Sequence, residues 1–293
     1  MIQNMSFLSG ASGLTYLVST IGAIKEILLM HDIHDGVSYC SETDNKFEHL
    51  FVTDYFNTAN DIQKILEETV DTKVKLTDLW PNAKHTQTLK KLAKKNIKDI
   101  YSVDIRPFLI PFSWELIQTN KTKFGEIILS KYLVFLDKLF NKPNESKVYL
   151  KYIKNINIKN EEYKKEASTH ISDLHNIFNI FKKKHQNKLN IKLIDIYNNN
   201  IEILYELNNL LSAIMEWYII ILTLSNSKNS IIHVGLAHSN RIEKILVKYY
   251  KFKIKYHNGI TEIKNVDLSK TISSCVLLPQ DIKSRFTAKY YYN

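Results

Sequence analysis

Two short histidine motifs each follow an apolar run, and they lie near opposite ends of the 293-residue chain. The first spans residues 31–36 (HDIHDG) and the second spans residues 233–238 (HVGLAH). In an open α/β sheet, ligands bind in the crevice beyond the carboxyl ends of the strands. Residues that follow strands from both ends of the chain can therefore meet there. The sequence predicts that these two motifs share one site.

The first motif places carboxylates and imidazoles next to each other. Asp32 and His34 are two positions apart, so on an extended chain they face the same side. An Asp-x-His pair can bind a divalent metal ion, or the carboxylate can orient a histidine that acts as a base. A polar loop at a strand end is the alternative interpretation. We predict Asp32 and His34 as catalytic residues and as metal ligands.

The second motif ends in His238, directly after Gly235-Leu236-Ala237. These small residues permit a tight turn before a helix that we expect to begin near residue 239 or 240. A helix N-terminus favours an anion, and Arg241 in the first turn adds a positive charge for a substrate carboxylate or phosphate. An ordinary capping loop with a surface histidine is the alternative. We predict His238 as a catalytic residue and metal ligand, and Arg241 as substrate-binding.

A third candidate pair lies in the middle of the chain. Asp104 and Arg106 alternate at the end of a predicted strand over 97–105, so they share a face. We predict Asp104 as a further metal ligand and Arg106 as a second substrate-binding residue. An internal salt bridge explains the pair equally well. His233 lies inside its strand, and we expect it to meet a partner in the core.

The pattern of the chain predicts an α/β protein with a mixed central sheet built from N- and C-terminal segments and a large helical insertion. The predicted boundaries are 1–112 for the first part of the core, 113–228 for the helical insert or cap, and 229–293 for a βαβ unit that completes the core. The predicted elements are a strand pair at 14–19 and 24–30, a strand at 47–56, a helix at 58–68, a helix from 81 to 95, helices between 114 and 224, a strand at 230–234, a helix at 240–250 and a strand at 252–256.

The charge of the chain gives little support to nucleic-acid binding. The net charge is +10 at pH 7, but arginine occurs only at positions 106, 241 and 285, and the rest of the positive charge is lysine. Proteins that read phosphates and bases favour arginine for its two-pronged hydrogen bonding. A solvated lysine-rich surface is the better interpretation, so we expect no nucleic-acid partner. The abundance of Asn, Ile, Lys and Tyr is typical of an AT-rich genome.

The remaining composition bounds the location and the cofactors. Cys40 and Cys275 are too few and too isolated for a disulfide framework or a four-cysteine zinc site, which favours an intracellular, reducing compartment. The N-terminus lacks the charged region of a secretory signal. The most apolar stretch, 210–224, is shorter than the roughly 20 residues of a membrane span, so we expect a buried helix and no transmembrane segment. With seven glycines and no glycine-rich loop, no nucleotide cofactor is expected.

The motifs resemble those of a known superfamily. The segment 231–238, followed by a helix and a strand, resembles the second GxxH motif of the TraB, PrgY and TIKI proteins and, more distantly, of the erythromycin esterase and ChaN-like groups. In the first motif His31 stands where the family has Gly, while Asp32 is similar to the acidic residue of the GExH form. Residues 103–107 (VDIRP) resemble a strand-end motif of the same superfamily. The layout is similar to that of uncharacterised proteins of large DNA viruses.

The resemblance implies a hydrolase-like, viral protein in the host cytoplasm or the virion. His34 and His238, aided by Asp32, would hold a divalent metal ion (Mn, Fe, Co or Zn) or activate a water molecule for attack on the acyl or peptide bond of a small-molecule or peptide substrate. Asp104 would orient a ligand. The alternative is a non-catalytic virion structural or host-interaction protein that retains the fold. The residue at position 31 and the dense lysine surface motivate that alternative.

Overall fold

The computed structural model describes residues 5–22, 24–33, 37–41, 48–58, 61–69, 88–89, 91–92, 99–109, 126–267 and 269–286. Its strands are β1 (Met5–Ser9), β2 (Gly13–Ser19), β3 (Glu26–Asp32), β4 (Val37–Ser38), β5 (Glu48–Phe51), β6 (Gln63–Thr69), β7 (Ile100–Asp104), β8 (Ser230–Gly235), β9 (Phe252–Gly259), β10 (Ile272–Ser273) and β11 (Cys275–Pro279). Its helices are α1 (Val52–Thr58), α2 (Arg106–Leu109), α3 (Leu129–Asn141), α4 (Glu161–Lys184), α5 (Leu193–Asn199), α6 (Ile201–Ser225), α7 (Leu236–Lys248) and α8 (Gln280–Phe286).

A six-stranded sheet with the order β7-β6-β8-β3-β2-β9 forms the centre of the fold. Strand β8, from the C-terminal part of the chain, is parallel to both β3 and β6, which come from the N-terminal part. Strand β2 is antiparallel to β3 and to β9. The predicted α/β class is confirmed, with its mixed sheet from both ends of the chain and its long helical region between them.

The first two strands of this sheet form the predicted pair. Strands β2 and β3 are antiparallel, with Gly13 opposite His31 and Val18 opposite Glu26. At Gly13 a Cβ atom would lie 2.0 Å from the backbone oxygen of Ile260, so the close approach of the two chains requires glycine. Side chains alternate across β2: Leu14 belongs to the core cluster on one face, whereas Thr15 contacts helix α7 on the other.

The predicted helix over 58–68 is wrong. The chain forms α1 directly after the short strand β5 and then enters β6 at Gln63. Residues 62–66 are all buried, and β6 lies between β7 and β8 in the sheet. A strand buried on both faces shows no alternation of apolar and polar residues. The apolar residues at 62, 65 and 66 therefore imitate helical spacing. The predicted helix over 81–95 lies largely outside the described residues.

The chain divides into two compact units. The sheet unit comprises residues 1–68, 78–103 and 226–293, and the helical unit comprises residues 69–77 and 104–225. The chain leaves the sheet unit after residue 103 and returns to it at residue 226. The predicted boundaries were 112/113 and 228/229.

The helical unit is held together by helices α4 and α6. Asn160 caps α4, because its side-chain oxygen accepts a hydrogen bond from the amide of Tyr163 at 3.0 Å. Buried side chains then recur along α4 every three or four residues, at Tyr163, Ala167, His170, Leu174, Phe178 and Phe181. Among the described helices, α6 is the one whose length and apolar composition would let it cross a membrane, and 78% of its most apolar window is buried inside the protein. That burial is typical of a core helix, as the sequence predicted.

A second, three-stranded sheet with the order β11-β1-β5 also belongs to the sheet unit. Near it, the short strands β4 and β10 pair in parallel, and a disulfide joins Cys40 to Cys275. The two cysteines, which the sequence suggested were too few and too isolated for a disulfide framework, thus form one disulfide. Because that isolation was the argument for a reducing compartment, an intracellular location stays a prediction.

Candidate functional site

The carboxyl ends of three parallel strands define the candidate site. Strand β3 ends at Asp32, which lies opposite Gly235 at the end of β8. Strand β6 pairs with β8 as far as Leu66, so Glu67 follows at the same edge. Asp32 is 1% exposed. The structure thus brings Asp32 and the start of the second histidine motif together at the edge where α/β sheets bind ligands.

Glu67 is bound to both ends of the Gly235–His238 turn. One carboxylate oxygen accepts a hydrogen bond from the amide of Gly235 at 2.7 Å, and the other lies 3.3 Å from Nε2 of His238. Gly235 is the residue that caps α7. The helix dipole favours a carboxylate at this position. Because the Glu67 and His238 side chains are only 10% and 11% exposed, water screens their interaction weakly.

His238 lies inside the first turn of α7, because the helix begins at Leu236 rather than near residue 239 or 240. Its Nδ1 atom is 3.2 Å from a terminal nitrogen of Arg241, one turn further along the helix. A guanidinium group only donates hydrogen bonds, so Nδ1 accepts and the ring proton is on Nε2, facing Glu67. Glu67, His238 and Arg241 therefore form a continuous carboxylate–imidazole–guanidinium array.

A second network of polar contacts surrounds His31. Nδ1 of His31 is 2.7 Å from the Ser239 hydroxyl, and Nε2 is 2.8 Å from the hydroxyl of Thr15. Thr15 in turn donates to Glu243 at 2.7 Å, so it accepts the Nε2 proton of His31. Burial, together with nearby His257, lowers the pKa of His31 to about 3. His31 thus links β3 to two residues of α7.

Asp104 and Arg106 form an internal salt bridge, which was the alternative that the sequence left open. Both carboxylate oxygens accept from the guanidinium at 2.8 Å, and one oxygen also accepts from the Arg106 amide at 3.0 Å. The Asp104 side chain is 5% exposed. Both residues belong to the helical unit. Arg106 thus engages both oxygens of Asp104, and the role of Asp104 as a metal ligand stays a prediction.

The other predicted residues are placed as follows. His34 lies outside the described residues. His233 is in the core, as expected, with Nε2 3.4 Å from the backbone oxygen of Gly10 and its ring edge-to-face with Phe56. Within the described ranges, no group of three or more His, Cys, Asp or Glu side chains has the spacing of a metal site. In the structure His238 directs Nε2 at Glu67 and Nδ1 at Arg241, and its role as a metal ligand stays a prediction.

Sequence reasoning missed Glu67. The signal was present, since Glu67 and Glu68 directly follow the buried run 62–66 in the same way that the histidine motifs follow theirs. The helical interpretation of 58–68 concealed it. Comparison of the chain with protein-family models, with curated proteins and with solved structures gives no match. The function is therefore argued from the geometry of the array and from the resemblance of the motifs.

Proposed function

We propose that this protein is a hydrolase in which the Glu67–His238 pair activates a water molecule for attack on an acyl or peptide bond. One observation carries the proposal: a carboxylate lies 3.3 Å from the imidazole where three parallel strands end. A carboxylate bound to one imidazole nitrogen orients the ring and stabilises the imidazolium that forms when the other nitrogen takes a proton. The resemblance to the TraB, TIKI and erythromycin esterase-like proteins points to the same class of reaction.

Arg241 makes the activity of the Glu67–His238 pair depend on the charge of the substrate. In the structure its guanidinium occupies the lone pair of Nδ1 of His238. An anionic group on the substrate competes for that guanidinium, because a charged pair is stronger than a bond to a neutral ring nitrogen. Nδ1 then accepts a proton from water while Glu67 holds the Nε2 proton. His238 later returns the proton to the leaving group. We retain Asp32, at the same edge, as a predicted catalytic residue.

The metal-dependent form of the reaction needs a ligand set that includes His34. A bound metal ion would lower the pKa of a water molecule and polarise the scissile carbonyl. The experiment that separates the two forms is elemental analysis of the wild type and of H34A/H238A after exposure to Mn, Fe, Co and Zn. If the wild type binds one equivalent of metal and the variant binds none, the metal-dependent form takes the place of our proposal that Glu67 and His238 act without a metal ion.

The catalytic proposal is tested with p-nitrophenyl esters that do or do not carry a carboxylate, and with a peptide anilide. We expect E67Q and H238A each to lower kcat roughly 100- to 10,000-fold, the usual contribution of a positioned acid–base group. R241M is expected to raise KM for the carboxylate-bearing ester and, because it frees Nδ1 of His238, to raise the turnover of the neutral ester. E262Q, which changes a half-buried glutamate of the same unit that pairs with Lys264, is the matched control and should behave as wild type.

Two results would count against the proposal. Turnover that survives both E67Q and H238A would place the chemistry elsewhere. No turnover of any substrate by the folded, metal-treated protein would favour the alternative, a virion structural or host-interaction protein that retains the fold. A viral source and an intracellular location belong to the same proposal, and immunolocalisation in infected cells tests the location.

A further inference from the structure

The two cysteines of the chain join residues that are 235 positions apart. Cys275 is the first residue of β11 and lies opposite Ser9 of β1, and Cys40 belongs to the described segment 37–41. Both cysteines are half-buried. Neither residue is part of the six-stranded sheet. The disulfide therefore fastens a peripheral segment to the smaller sheet.

Short backbone contacts attach this segment in part. Strand β4 is two residues long and pairs in parallel with β10, which is also two residues long. The amide of Ser274 donates to the oxygen of Ser38 at 2.7 Å, and the amide of Cys40 donates to the Ser9 hydroxyl at 3.0 Å. Ser38 itself is exposed. Segments with few buried contacts open at a lower free energy than the core of a domain.

By contrast, strand β11, which begins at Cys275, has noncovalent contacts that hold it in place without the disulfide. Strand β11 pairs with β1 at five positions, from Met5 opposite Pro279 to Ser9 opposite Cys275. Its apolar residues Val276 and Leu278 belong to the main core cluster. Cleavage of the disulfide thus removes the covalent tie of the segment while the strand to which it is tied stays paired.

We propose that the Cys40–Cys275 disulfide is a redox-controlled clamp, which holds segment 37–41 against β10 and β11 when oxidised and releases it when reduced. A dithiol reductant opens the clamp: one thiolate attacks a sulfur atom to give a mixed disulfide, and the second thiolate displaces the protein sulfur. Two electrons and two protons pass to the cysteines, and the reductant leaves as a disulfide. The clamp rests on contacts separate from the Glu67–His238 pair, so it stands apart from the proposed hydrolase function.

The clamp makes the chain sensitive to the compartment in which it resides. Dithiol systems of a reducing cytosol keep such thiols reduced, whereas oxidising compartments let the disulfide persist. The same sequence therefore has an open form and a closed form, which differ at residues 37–41 and leave the six-stranded sheet unchanged.

The test uses the full chain, oxidised with glutathione disulfide and then treated with dithiothreitol or left untreated. Iodoacetamide labelling and intact mass should show no labelled cysteine before reduction and two after it. Hydrogen exchange followed by mass spectrometry should show at least a tenfold faster exchange in peptides that cover 37–41 in the reduced protein. Peptides from β2, β3 and β8 should be unchanged. The variant C40S/C275S should exchange like the reduced protein under oxidising conditions.

A matched variant, S9A, removes the hydrogen bond from Cys40 and keeps the disulfide, so it should accelerate exchange in 37–41 less than reduction does. Three outcomes would overturn the proposal. The first is two labelled cysteines after oxidation. The second is identical exchange of 37–41 in both redox states. The third is equal acceleration in β2, β3 and β8, which would make the disulfide a staple of the whole unit. None of these readouts depends on catalytic activity.

Discussion

His170 should make the stability of the helical unit depend on acid. It is 5% exposed on α4, and burial lowers its pKa to about 4, even though Asp173 and Glu216 act in the opposite direction. In the unfolded chain a histidine has a pKa of about 6.5. Between these two values the unfolded state binds a proton that the folded state excludes. The free energy of unfolding therefore falls as the pH drops below about 6.5, and this loss is complete near pH 4.

The size of the effect follows from the two pKa values. At pH 5 the folded imidazole is still neutral, and the unfolded one lies 1.5 pH units below its pKa. Each unit corresponds to about 1.4 kcal/mol, so the unfolding free energy should fall by about 2 kcal/mol between pH 7 and pH 5. At pH 4 the loss from His170 should reach about 3 kcal/mol.

Urea unfolding at pH 7 and pH 5, followed by far-ultraviolet circular dichroism, measures this loss. Carboxylates also contribute to the pH dependence, so the comparison is with H170Q, which cannot take up the proton. The wild type should lose about 2 kcal/mol more than H170Q over this interval. H175Q changes a histidine hydrogen-bonded to Asn141 in exposed surroundings, and it should follow the wild type. Equal losses in the wild type and H170Q would refute the reasoning.

Three further substitutions, with V134A as a control, test the stability of the fold by thermal and urea unfolding. G13A should destabilise the sheet unit by more than about 3 kcal/mol, because the added Cβ meets a backbone oxygen that cannot move aside. If G13A is as stable as the wild type, the two strands separate easily. D104N should cost about 1–3 kcal/mol through loss of the charged pair with Arg106, and no change would show that the pair is dispensable. L28A, at a fully buried position, should cost about 2–5 kcal/mol, whereas V134A, 63% exposed, should change stability by less than about 0.5 kcal/mol.

The parts of the fold that the sequence predicted are those fixed by local patterns. Strands β2, β3 and β8 are apolar runs bounded by turn residues, so their positions follow from the neighbouring sequence alone. Within the site, consecutive titratable residues after a strand indicated Asp32, and the turn at residues 235–237 before a helix indicated His238. The sequence predicted that α7 begins near residue 239 or 240, whereas it begins at Leu236. Gly235 caps the helix without a side-chain hydrogen bond, so the sequence contains no polar capping residue that marks the start.

What the sequence did not predict depends on pairing between distant segments. Glu67 reaches His238 because β6 pairs with β8, and residues 62–66 of β6 are all buried, so the strand shows no alternation of apolar and polar residues. The disulfide between Cys40 and Cys275 also depends on distant segments, because the pairing of β4 with β10 and of β1 with β11 brings the two cysteines together. A single sequence contains no local signal for contacts of this kind.

The position of β8 in the sheet also determines when the protein can fold during synthesis. Strand β8 fills the place between β3 and β6, yet the ribosome reaches Ser230 only after it has made 161 residues beyond Thr69. At about 5–20 residues per second, this delay is roughly 8–30 s. During that time the emerging chain carries the edges of β3 and β6 without the strand that lies between them. The helical unit ends at residue 225, so it too is complete only shortly before β8 is made. Until then the open strand edges can pair with other chains.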